Sequence, residues 1–259
     1  MIVDVQYSAA HNDWRTLRDA ILQDEADGTY DTTWVLDHFD GSTLPGGDRD
    51  VLEAFTFLGA LAAVTSTIGI GSLVANVANR HPEVLSLAAA TVQEISAGRL
   101  KLGLGAGAAP ETAWSREHKE RGIALQPRLE DRHAAVVRQI EIVRRRTPSI
   151  PIHIGVNSEA LARIAGLYAD GVNIRLSSPH AARYLAAARD AAASLDRTTL
   201  DRTTLHRTTL DRTTLGYTTL DCSGWCAPTD QASIDKAHEL GLDRLIISKL
   251  SKLPTPTKV

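Results

Sequence analysis

Three short stretches carry side chains whose types and spacing can do chemistry. Asp37-His38-Phe39 closes the apolar, β-branched run TTWVLDHF (32–39). An imidazole changes charge near neutral pH, so His38 is suited to give or take a proton with Asp37 beside it. The bland reading is a histidine that only satisfies a buried hydrogen bond. The second stretch, Gly103-Leu104-Gly105-Ala106-Gly107, follows the apolar RLKL. It lacks Gly-x-Gly-x-x-Gly spacing, and AAPET after it opens no clear helix with a downstream ribose acid, which argues against a nicotinamide site. The third, Gly155-Val156-Asn157-Ser158, leads from PIHIGV into helical SEALARIAGLYA. Backbone N–H groups at a helix start suit a phosphate. No Ser-His-Asp order, His-Glu-x-x-His or P-loop appears. The sequence thus offers no strong nucleophile or metal motif of its own. Cys222 and Cys226 lack a second Cys/His pair nearby, so a reduced thiol pair is expected and a metal site is not.

The elements that must position these residues read as an alternation. TIGIGSLVAN (67–76) is a buried strand. Pro82 then opens a helix whose Val84, Leu85, Leu87, Ala88, Val92 and Ile95 recur at helical spacing, ended by Gly98. RLKLGLGAG (99–107) is the next strand, and strand–helix–strand over this length is a βαβ unit with parallel strands. Further strands are expected at 2–8, 32–39, 151–156, 171–176 and 243–250, with a weak one near 217–225. Helices are expected at 14–28, 51–65, 125–145, 158–169, 178–195 and 229–241, and a polar loop with one helical turn at 108–124. About eight strands alternating with helices is the pattern of a (β/α)8 TIM barrel, an α/β fold that suits 259 residues as one domain, 1–259. A slightly minimal barrel is expected, because SKLPTPTKV after the last strand carries no helical pattern.

DRTTLDRTTLHRTTLDRTTLGYTTL (196–220) stands outside this alternation as a pentapeptide repeat. Its leucines walk around a helix and alternate faces in a strand, so neither gives them a buried side. It reads as a low-complexity insertion. A net charge of -3 gives no drive toward nucleic acid or an anionic membrane. No apolar run reaches a membrane span, and MIVDVQYSAA is not a signal peptide, so a cytoplasmic protein is expected.

The succession Ser72-Leu73-Val74, Arg80-His81-Pro82, Ser96-Ala97-Gly98-Arg99 and Gly103 to Gly107, with Asp37-His38-Phe39 upstream, closely resembles the luciferase-like monooxygenase superfamily. The resemblance covers roughly residues 30–175 well. It implies a barrel that binds FMN or the deazaflavin coenzyme F-420, the latter slightly favoured, and an oxidoreductase or monooxygenase acting on a small organic substrate. It places His38 beside the tricyclic ring as proton donor or acceptor, with Asp37. It implies a non-proline cis peptide at Ser72-Leu73 that props the ring from behind, and contacts to cofactor from Asn76, Gly105 and Gly107. The family commonly has Gly-Gly at the phosphate loop, where this chain keeps Gly155 and departs from the pattern at Val156 and Asn157. Asn173 either lines the pocket or is structural. Trp114, Glu117 and Arg121 either close over substrate or are simply solvated. Use of FMN would imply a flavin reductase partner, and the apolar VLEAFTFLGALAAV is compatible with a homodimer. The competing reading is a non-catalytic flavin-binding barrel or assembly partner.

Overall fold

β-branched and apolar runs separated by amphipathic helices fold here into one closed parallel barrel, with the strands in sequence order. The computed structural model describes residues 1–41, 44, 50–197, 219–227, 229–249 and 253. The strands are β1 (Ile2–Tyr7), β2 (Thr32–Val35), β3 (Gly69–Asn76), β4 (Leu100–Gly105), β5 (Ile152–Val156), β6 (Gly171–Arg175), β7 (Asp221–Cys226) and β8 (Arg244–Lys249). The barrel closes where β1 pairs with β8, from Ile2 opposite Arg244 to Tyr7 opposite Lys249. The helices are α1 (Trp14–Asp27), α2 (Ala54–Val64), α3 (Pro82–Ile95), α4 (Arg116–Glu120), α5 (Leu129–Arg146), α6 (Glu159–Tyr168), α7 (Ala181–Arg197) and α8 (Gln231–Glu239). Local signals set their ends. Asp13 caps α1 by accepting from the Thr16 amide, and Gly28 ends it with a left-handed φ of 61°. Pro82 occupies the first turn of α3.

Alternating strand residues face outward and inward. The outward set, including Val5, Ile70, Leu102, Leu104 and Ile154, packs against helix residues such as Leu17, Leu58, Leu61 and Leu85 to form the main core. The apolar filling of the lumen is small by comparison: Trp34, Leu73 and Ile246, with Val74 and Trp225 against them. Gly71 makes room for Trp34, since a Cβ there would lie 2.6 Å from the indole. Below Trp34 the lumen is polar. Arg244 donates to both oxygens of Asp4 at 2.7 and 2.8 Å and to Asp31 at 2.9 Å, and Lys101 reaches Asp31 at 2.8 Å. These ion pairs tie β1, β4 and β8 at the lower end.

The expected alternation matches this order, with local differences. The second strand stops at Val35, and residues 36–38 run on beyond the β2–β3 ladder. The loop expected at 108–124 contains a 3-10 turn, Ala113–Ser115, as well as α4, and α5 starts four residues later than expected, at Leu129. The weak strand near 217–225 is β7, a full six-residue member of the barrel. Apart from its first two and last two residues, the pentapeptide repeat lies outside the described residues, as does nearly all of the chain after β8. Among the described residues no helix is long and apolar enough to cross a membrane.

Candidate functional site

The C-terminal ends of the strands surround a cavity of about 1210 Å³. In barrels of this kind that end carries the chemistry. Asp37 and His38, at the end of the β2 segment, lie on its wall. His38 Nδ1 is 2.9 Å from Glu117 Oε1. The other oxygen of Glu117 accepts from the backbone amides of Phe39 at 2.7 Å and Asp40 at 3.1 Å. Glu117 is 1% exposed. Burial alone would raise its carboxyl, but the bonds from His38 and the two amides outweigh that and hold its pKa below the usual range. An ionised carboxylate only accepts, so Nδ1 of His38 carries a hydrogen and Nε2 is the nitrogen left for the cavity. The Trp114 ring lies 5.9 Å from the imidazole, centre to centre.

Glu117 belongs to α4, which docks on the chain after β2 and on the end of β3. Arg116 pairs with Asp40 at 3.0 Å, and Arg121 stacks over Phe39 and reaches Asp50 at 3.1 Å. His118, also 1% exposed, places Nε2 2.8 Å from Asn79 Oδ1 and 3.0 Å from Asn76 Nδ2. Burial holds its pKa below the ordinary imidazole range. The solvated reading of Glu117 is therefore corrected: this carboxylate organises the site. Its partners lie 77 to 79 residues away, so local sequence shows only an acidic residue on a short helix.

Asp37 is turned to a different task. Its oxygens accept from Arg80 Nη1 and Nη2, both at 2.8 Å, and from the Asn76 amide at 2.9 Å. Arg80 also binds Glu53 and stacks on Phe55. Asp37 thus joins the end of the β2 segment to the end of β3.

The floor is built from β3, β4 and β5. The non-proline cis peptide lies between Leu73 and Val74, not at Ser72-Leu73; the ladder to β4 loses register between Ser72 and Ala75, which turns this step into the lumen. Ser72 is fully buried, its hydroxyl donating to the Gly103 carbonyl at 2.9 Å, and it stands behind the cavity wall. Leu73 and Val74 line the cavity. Val74 sits where side chains on Gly105 and Gly155 would be: a Cβ would approach it to 2.5 and 2.8 Å. Gly107 has φ 70°, and a Cβ there would lie 2.5 Å from Asn76 Oδ1. Asn76 itself stands behind Gly107, its Oδ1 accepting from the Ala78 amide at 2.9 Å.

Gly155, Val156 and Asn157 line the side of the cavity where α6 begins, with Ser158 as its cap. Asn173 lines the cavity too, and donates to Ser223 at 3.0 Å. Sequence reasoning missed the start of α5. Arg132 and His133 line the cavity there, and Arg132 Nε and His133 Nε2 are buried without a hydrogen-bond partner among the described residues. Burial and the neighbouring Arg132 lower the His133 pKa.

Residues 3–213 match the model of the luciferase-like monooxygenase family. The chain is 30% identical over 176 residues to the 5,10-methylenetetrahydromethanopterin reductase of Archaeoglobus fulgidus, covering 59% of this chain and 47% of that protein. It is 30% identical over 161 residues to the F420-dependent glucose-6-phosphate dehydrogenase of Nakamurella multipartita, covering 55% and 47%. The chain thus spans about half the length of the curated relatives it matches. Its fold is similar to that of the coenzyme F420 dependent tetrahydromethanopterin reductase from Methanopyrus kandleri, with TM-score 0.69, 12% identity, and 96% and 93% of the two chains covered. It is similar also to monooxygenase RslO1 from Streptomyces bottropensis, with TM-score 0.68, 16% identity, and 98% and 94% covered. With its family-wide match laid over a closed parallel barrel, this chain belongs to the luciferase-like monooxygenase family.

Proposed function

We propose that the chain is an oxidoreductase that uses a flavin or deazaflavin at the barrel mouth to act on a small organic substrate, with coenzyme F-420 favoured over FMN. The observation that carries this reading is His38 held through Nδ1 by the buried Glu117, on the wall of a cavity large enough for a cofactor and a substrate together. The residues present fit such a group. Gly105 and Gly155 admit Val74 into the floor, and the nitrogens of Arg132 and His133 that lack partners among the described residues suit an anionic part. Gly155, Val156 and Asn157 at the start of α6 would face its phosphate. When bound, F-420 supplies two-electron hydride transfer, and reduced FMN supplies oxygen activation with electrons from a separate reductase. The chain's own part is proton handling and positioning. Glu117 fixes the tautomer and ring orientation of His38, so Nε2 takes a proton from, or returns it to, a substrate oxygen. Asp37 and Arg80 hold the strand ends on which His38 stands.

We also assign a homodimer to the outer face of α2 and α3. Ala60, Ala63 and Val64 of α2 and Val84, Leu87, Thr91 and Ile95 of α3 form an outward, largely apolar stripe, with the exposed Glu83 and Glu94 of α3 at its edge. Val84 and Leu87 are each 55% exposed. Two helices side by side make a face of roughly 20 by 20 Å, a size at which exposed apolar surface marks an interaction site. A second copy offers the same apolar stripe, as a two-fold interface requires. Light scattering on Leu87→Glu tests this: the account expects a monomer, and an unchanged mass contradicts it.

The cofactor reading is tested by titrating the purified protein with F-420 and with FMN, followed by fluorescence. Saturable binding of F-420 supports hydride transfer, and binding of FMN alone moves the assignment to oxygen chemistry. Binding of neither removes the cofactor assignment.

A further inference from the structure

Gln6, near the top of β1, is 1% exposed, and its amide spans the lumen. Its Oε1 accepts from Trp225 Nε1 on β7 at 2.7 Å and from Ser248 Oγ on β8 at 3.3 Å. Its Nε2 donates to the Leu73 carbonyl on β3 at 2.8 Å. An indole N–H can only donate, which fixes the amide's orientation and turns its own hydrogens toward Leu73. Leu73 is in the one step of β3 that the sheet does not hold. The ladder to β2 ends at Ser72, and the ladder to β4 resumes only at Ala75. A side chain therefore does there what a neighbouring strand does elsewhere.

We propose that Gln6 is a positioning residue that fixes the Leu73–Val74 floor and links it to the Trp225 wall. The surface under the cofactor and a wall facing the substrate are then set together. This rests on the cofactor reading above. Only an amide completes the link. Glutamate would keep the bonds from Trp225 and Ser248 but has no hydrogen for Leu73, and it sets a charge against that carbonyl. Leucine keeps the bulk and loses all three bonds. Arg175 lies over the Trp225 ring at 5.0 Å, so a ligand that engages either side chain loads the same link.

The test uses Gln6→Glu, Gln6→Leu, Trp225→Phe and the Gln6→Leu/Trp225→Phe pair in the full chain. Hydrogen exchange in the ligand-free protein reads the floor directly. Both Gln6 variants are expected to speed exchange across residues 73–75 by about tenfold, the effect of one lost buried bond, with the β1–β8 ladder unchanged. Fluorescence titration should show cofactor binding weakened by about tenfold in the same variants, and by less in Trp225→Phe. The pair should lose no more than Gln6→Leu alone, because Trp225 acts through Gln6. Unchanged exchange at 73–75, or additive losses in the pair, overturns the proposal. If the wild type binds neither coenzyme, the cofactor reading falls and the exchange result alone decides the link. If the Gln6 variants do not fold, Trp225→Phe decides it: faster exchange at 73–75 supports the link, and unchanged exchange overturns it.

Discussion

At the lower end of the lumen Arg244 grips both oxygens of Asp4, and Lys101 and Arg244 share Asp31. At the upper end Asp37 takes Nη1 and Nη2 of Arg80 on separate oxygens, yet Glu117, also buried, is given to an imidazole and two amides. A carboxylate matched to a guanidinium faces a cation that does not titrate in the working pH range. One matched to an imidazole holds in place a group that does. The contrast separates charges that lock strands together from charges that orient a proton carrier.

The largest expected effect breaks the lower end. Arg244→Met leaves Asp4 buried without its cation and should cost about 3–5 kcal/mol, read as a lowered urea midpoint. At the upper end Glu117→Gln is expected to reduce turnover by about a hundredfold or more while cofactor binding changes little, because the tautomer of His38 is no longer dictated. A loss of binding as large as the loss of turnover would show that Glu117 only builds the wall.

Much of this architecture is legible in sequence. Pro82, Gly98 and the spacing from Val84 to Ile95 mark α3 within its true limits, and the β-branched runs around it give β3 and β4. Such patterns report which face of one element is apolar. They do not report what meets across a lumen, so the partnership of His38 with Glu117, 79 residues apart, has no local signature. The same holds for Gln6 and Trp225, 219 residues apart. The cis step was displaced by one residue because family resemblance sets a register only as finely as its motif does. β7 was faint because Asp221, Ser223 and Gly224 break its apolar run, the first two being polar positions of a largely polar lumen.

A smaller effect sharpens the comparison through pH. Burial lowers the pKa of His118 at the mouth and of His153 inside the barrel from the ordinary value of 6.5. The unfolded chain therefore takes these protons first, and folding stability falls as pH drops below 6.5. Glu117 and Asp31 have depressed pKa values, so their contributions are complete above the ordinary carboxylate values and are lost only as pH falls through the folded ones. Between 6.5 and 4.5 the loss belongs to the histidines. His118→Gln should show a smaller fall in urea midpoint between pH 7.5 and 5.5 than the wild type. The smallest effect is expected on the outside, where Arg183→Ala breaks the exposed pair with Glu159 and should change stability by less than about 0.5 kcal/mol.

The central claim is that His38 moves a proton in a cavity that other residues build. Its most direct test compares His38→Ala with the wild type, measuring turnover with an F-420- or FMN-coupled donor and cofactor affinity side by side. The account predicts turnover reduced by about a hundredfold or more with affinity within a few-fold. Unchanged turnover in the variant, or a wild type that binds cofactor and turns over no substrate, would contradict it.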